Sequence, residues 1–121
     1  MKNVYNKTKA AELLIELPRF DSRAYRVDYG PPYNINTTAY DVVVYEEKCL
    51  GNENNIPSAI LPYLKKLPAS SLVWVTKNKN DAKVYGHNIQ EIILENESRI
   101  IGNDEMGGFL VLRGEFLKFM V

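Results

Sequence analysis

The side chains of this chain with the most obvious chemistry are its one histidine, its one cysteine and a pair of adjacent acids in a glycine-rich stretch, and each is limited by what accompanies it. His87 has no second histidine to join it, so a two-histidine zinc site cannot be built within one chain, and a Ser-His-Asp triad would have to use this residue. It follows Tyr85-Gly86, where it reads as an exposed turn residue or as an acid-base group with an ordinary pKa of about 6.5. Cys49 has no partner for an intrachain disulfide, and Glu46, Glu47 and Lys48 give it mixed electrostatics that do not activate a thiol. The acids are Asp104 and Glu105 in "GNDEMGG" (102–108). A calcium loop needs oxygen ligands at several fixed spacings that are absent here, so the stretch is expected to be a hairpin turn whose glycines take positive φ. No metal site is expected.

Arg26 lies mid-strand in "RAYRVDY" (23–29), sharing a face with Ala24 and Asp28 by alternation. It is either solvated or paired with a carboxylate, or it is a five-donor anchor for a ligand phosphate or carboxylate. No "GxxxxGK" and no "GxGxxG" ahead of a helix occurs, so the familiar phosphate cradles are missing. Fifteen basic and fifteen acidic side chains cancel, and the eight tyrosines are scattered, which argues against a nucleic-acid groove. No apolar run approaches the roughly 20 residues that cross a bilayer, and Glu12 and Glu16 interrupt the N-terminal apolar segment. The expectation is a cytoplasmic protein that binds neither nucleic acid nor membrane.

These residues need elements to position them. Hydrophobic residues at 45% and charged residues at 25% suit a folded chain, and the length suits one domain over residues 1–121. "NKTKAAELLIEL" (6–17) puts Ala10, Leu13, Leu14 and Leu17 on one helical stripe, with Asn6 or Thr8 as N-cap and Pro18 as stop. A strand over 24–29 ends at Gly30-Pro31-Pro32. "TAYDVVVYEE" (38–47) is rich in β-branched and aromatic residues and predicts a central strand, followed by a polar loop, "KCLGNENN". "NIPSAILPYLKKLP" has helical spacing broken by Pro62, so a bent or short helix is expected. Strands follow at 71–76, 88–94, 99–104 and 108–113, and a short helix at 81–85 has Asn80 as its expected N-cap. The fold class is α+β, with an N-terminal helix and a mixed or antiparallel sheet carrying short helices.

"VWVTKNKNDAKVYG" (73–86) combines an aromatic strand ending in Thr, a polar loop, and a short helix with Ala and then Tyr-Gly. In this it resembles the middle motif of small ADP-ribosyltransferase-like proteins. "IIGNDEMGGFLVL" resembles the closing hairpin of uncharacterised small bacterial, archaeal and phage proteins that share the segment. The resemblance covers about residues 71–113, with a looser match at 23–29. It implies an ADP-ribosyltransferase-like fold and NAD as substrate. It would place Arg26 on the NAD phosphates or ribose and set Thr76 and Tyr85 along the nicotinamide side. A glutamate would stabilise the oxocarbenium-like ribose, with Glu91 the first choice and Glu95 and Glu97 as alternatives. The family's Ser-Thr-Ser triplet is absent. The alternative function is a non-catalytic protein-interaction module, or an accessory protein of viral or host-defence type that occludes a partner.

Overall fold

The residue spacing that decides the longest helix is 39/42/43. Ala39, Val42 and Val43 are buried while Asp41 and Tyr45 face solvent, which is the i, i+3, i+4 pattern of a helix packed on one side. The expected central strand at 38–47 is therefore corrected to a helix. In the computed structural model, which describes residues 12–27, 36–50, 53–54, 60–104 and 106–117, this helix is α2 (Ala39–Leu50). Its start carries a reciprocal cap: the Thr38 hydroxyl accepts from Asp41 N–H at 3.2 Å, and the Asp41 carboxylate accepts from Thr38 N–H at 3.1 Å. The β-propensity of Val42, Val43 and Val44 loses to this cap and to the apolar stripe, because strand propensity is largely a packing effect.

An earlier helical turn, α1, spans residues 12–15, with Leu14 and Leu17 buried and Pro18 ending the run as expected. Ala10 and the expected caps Asn6 and Thr8 lie outside the described residues. The helix interrupted by Pro62 is α3 (Leu61–Leu64), which is short because the proline sits in its first turn, where its missing N–H costs nothing. The expected loop at 48–55 contains the end of α2 and a two-residue strand, β2 (Glu53–Asn54). The remaining strands are β1 (Ala24–Val27), β3 (Leu72–Val75), β4 (Ile89–Ile92), β5 (Arg99–Asn103) and β6 (Phe109–Leu112). All fall inside the expected stretches.

Every ladder among the described residues is antiparallel. One sheet is the β1-β4 pair and the other has the order β2-β5-β6-β3. A single residue pair joins the two: Tyr25 N–H donates to Thr76 C=O at 3.0 Å and Thr76 N–H donates to Tyr25 C=O at 2.8 Å. Among the described residues no further ladder forms between β1 and β3, so the combined sheet is seamed at this point.

The helices cover one face of the larger sheet, where Leu72, Leu110 and Leu112 pack with Val42, Ile60 and Leu64. On the other face Val73, Val75 and Val111 meet Phe20 and Ala24. Phe20 also packs edge-on against Phe109, with ring centres 5.9 Å apart. The sheet curls around this second core. Ile100 N–H donates to Pro18 C=O and Phe20 N–H to Ser98 C=O, which holds residues 18–20 beside β5, yet Tyr25 is already bonded beside β3. A flat sheet would keep those edges several strand spacings of about 4.8 Å apart. The fold is a small α+β domain with two antiparallel sheets.

Candidate functional site

Alternation along paired strands fixes which side chains share a face. Tyr25 is directly opposite Glu91 on β4 and directly opposite Thr76 at the seam, so Glu91, Tyr25 and Thr76 form one row on one face. Arg26 pairs with Gln90 and belongs to the opposite face. Three of the four residues selected from sequence are therefore gathered at one end of the fold, counting Tyr85 below, and Arg26 is not brought to them.

Thr76 ends β3 and starts the segment that delivers Tyr85. Its side chain is buried, 3% exposed, and its hydroxyl donates to Asn78 C=O at 2.8 Å. Asn78 then caps α4 (Lys79–Ala82): its side-chain oxygen accepts from Asp81 N–H at 2.9 Å, and its amide donates to the Asp81 carboxylate at 2.9 Å. The expected cap at Asn80 is corrected to Asn78. Both asparagines suit an N-cap, but only Asn78 has extended backbone, held by the buried threonine beside it.

The Tyr85 hydroxyl donates to Asp104 in an unusually short hydrogen bond. The other carboxylate oxygen of Asp104 accepts from Met106 N–H at 2.9 Å and from Gly108 N–H at 2.7 Å, and Asp104 N–H donates to Gly108 C=O at 2.9 Å. Asp104 thus closes the β5-β6 turn and binds Tyr85 to it. The expected positive φ is present at Gly107, at 92°. Gly108 is needed for close approach instead, since a Cβ there would lie 2.8 Å from the Tyr85 hydroxyl and 2.6 Å from Asp104 Oδ2. Continuing the β3-β6 register one step beyond Val75↔Phe109 puts Gly108 beside Thr76, so the Tyr85-Asp104 pair sits over the same face as the Thr76-Tyr25-Glu91 row.

Glu91 meets Arg23 at 3.7 Å, with both side chains substantially exposed. The Arg23 guanidinium is held above its ordinary range by a hydrogen bond to Tyr25 and by the charge of Glu91. An exposed ion pair of this kind is weak and solvent-screened, so Glu91 can turn to another cation at little cost. Glu97 instead meets Arg19 at 3.9 Å, and Glu95 packs near Gly114, leaving Glu91 as the glutamate in the row.

Burial raises the Tyr85 pKa, reinforced by the hydrogen bond to Asp104 and by the negative charges of Asp104 and Asp81. At neutral pH the Tyr85 side chain is a protonated phenol that donates a hydrogen bond, not a phenolate. Because the raised pKa belongs to the folded state, its stabilising contribution is complete below about pH 10, the ordinary tyrosine value, and is lost as pH climbs beyond it. In an alkaline titration followed by phenolate absorbance, Tyr85 is expected to ionise late, and Tyr85→Phe should remove one tyrosine from the late phase. A variant whose late phase is undiminished would show that another tyrosine is the protected one.

Sequence reasoning missed Arg23, Tyr25 and Asp104. The i, i+2 spacing of Arg23 and Tyr25 was a usable signal, because it marks one strand face. Asp104 reads in the sequence as part of a turn, whereas in the structure it is also the partner of a tyrosine 19 positions earlier. Among the described residues there is no group of three or more His, Cys, Asp or Glu placed to hold a metal, and no helix is long and apolar enough to cross a membrane. Comparison with protein-family models, curated proteins and solved structures finds no match to this chain.

Proposed function

We propose that this chain is an NAD-binding protein of ADP-ribosyltransferase-like type, with the nicotinamide-ribose end of the dinucleotide held between Tyr85 and Glu91 and the buried Thr76 and Tyr25 of the same row backing it. The observation that carries this reading is the convergence of Thr76, Tyr85 and Glu91 on one face at the seam between two sheets. Sites between packed elements are where small ligands find both apolar walls and aimed polar groups.

Each residue has a distinct part in this reading. Tyr85, fixed by Asp104, is a rigid aromatic wall for the leaving ring. Glu91 faces the positive charge that develops on the ribose as the glycosidic bond to nicotinamide breaks, and nicotinamide leaves with the bonding electrons. Arg23 takes the anchoring part first assigned to Arg26, because it is Arg23 that meets Glu91. A nucleophile on a protein target is the acceptor class. Val84 and Met106, 56% and 53% exposed, flank the Tyr85-Asp104 pair in the chain and offer such a target apolar contact.

Saturation-transfer NMR with NAD tests the reading. Transfer to the nicotinamide protons is expected in the wild type, with affinity about tenfold weaker in Glu91→Gln, the equivalent of one charge-assisted hydrogen bond. Glu91 is exposed, so this substitution leaves the fold intact. Absence of transfer at millimolar NAD would overturn the reading in favour of the protein-interaction module.

A further inference from the structure

Among the described residues an anomalous side chain stands at the start of β5, which β6 separates from the seam strand β3. Arg99 begins β5 and is 5% exposed, the one buried side chain among the described residues that carries a full charge. Among those residues no hydrogen bond or ion pair engages its guanidinium. Directly opposite it, in an antiparallel bridge, stands a second arginine, Arg19. The nearby acid, Glu97, meets Arg19 at a loose 3.9 Å.

Two like charges directly across a strand pair repel, and a buried charge is retained in proteins when something neutralises it. Burial lowers the Arg99 pKa and the Arg19 charge adds to the effect, while the Glu97 charge opposes it only in part. We propose that Arg99 and Arg19 form a binding site for a small oxyanion, a phosphate or carboxylate group, which Arg99 holds from within and Arg19 closes from the solvent side. The guanidinium fork presents paired donors at the spacing of two anion oxygens. Arg19 is free to take part because its side chain is 56% exposed and its contact with Glu97 is of the weak, solvated kind. The site is separate from the proposed NAD row and does not depend on it.

Inorganic phosphate and acetate are the probes, each titrated at constant ionic strength. A ligand that binds only the folded chain raises its Tm, so the wild type should gain several degrees with at least one probe, and the stronger probe identifies the anion class. Arg99→Met should lose that gain, and without anion it should melt no lower than the wild type, since an apolar side chain replaces a buried charge that the solvated Glu97 only partly offsets. An equal gain in both proteins would be a general salt effect and would overturn the proposal. Should Arg99→Met not fold, the Nε–Hε signal of Arg99 in the wild type decides: a saturable shift with either probe supports the site, and an unmoved signal refutes it.

Discussion

Asp104→Ala is expected to destabilise the fold by about 3 kcal/mol, lowering Tm by roughly 12 °C for a chain of this size. The carboxylate satisfies three donors at once: the Tyr85 hydroxyl, Met106 N–H and Gly108 N–H. Hydrogen bonds to a charged acceptor contribute about 1.5–3 kcal/mol each, but water can replace the one at exposed Met106, so the full sum is not lost. Asp104→Asn keeps an acceptor for two of the three donors and should cost about half as much. Urea denaturation of both variants checks the ordering. A loss below about 0.5 kcal/mol in the alanine variant, the range of an ordinary surface change, would show that the turn closes without its carboxylate. The same variant should weaken the proposed NAD binding, because Tyr85 would no longer be held.

Gly114→Ala carries the second large effect, about 2–3 kcal/mol, through crowding that cannot be relieved by a side-chain rotation. A Cβ at this position would lie 2.9 Å from the Ser98 backbone nitrogen and 3.1 Å from both the Glu97 carbonyl carbon and Glu95 Cβ. Two of these three are backbone atoms. The approach is held by Gly114 N–H donating to the Ser98 hydroxyl at 2.8 Å, and Ser98 is itself fully buried. Ser98→Ala leaves that N–H without its acceptor and should cost about 1–2 kcal/mol. The double variant should cost less than the sum, because the first substitution already breaks the contact that the second removes. Strict additivity in a denaturation cycle would mean that residues 95–98 and 114 do not act as one packed unit.

The two glycine-dependent approaches lie at opposite ends of β6, and the functional reading depends on the first. Gly108 lets Tyr85 reach Asp104, and Asp104 orients the residue proposed to border the ligand. The proposed anion site uses the opposite edge of β5, where residues 18–20 run alongside it. The NAD and anion proposals therefore fail separately.

Local patterning in the sequence determined most of the strands. "SLVWVT", "NIQEIIL", "RIIGND" and "GFLVLR" each have β-branched or apolar residues set between polar or turn-forming stretches, and each contains one of the observed strands. Pro18 and Pro62 likewise acted where they stand, since a proline's missing N–H is a local fact. At residues 38–47 local preference misled. Thr38 and Asp41 already spelled a cap, but whether Val42 and Val43 become helix or strand depends on which surface they are buried against. That surface comes from Leu64, Leu110 and Leu112, which are remote in sequence.

The site divides along the same line. Residue types at 76, 85 and 91 were enough to suggest an aromatic wall, a hydroxyl and a carboxylate, but faces and partners are properties of register. Only the pairing of Tyr25 with both Glu91 and Thr76 sets that row, sends Arg26 to the other side and brings Arg23 to Glu91. Only the curl of the sheet sets Arg99 against Arg19. A one-residue shift in register would exchange every one of these faces, because side chains alternate with a period of two, and no stretch of sequence read alone contains the identity of its neighbour across the sheet.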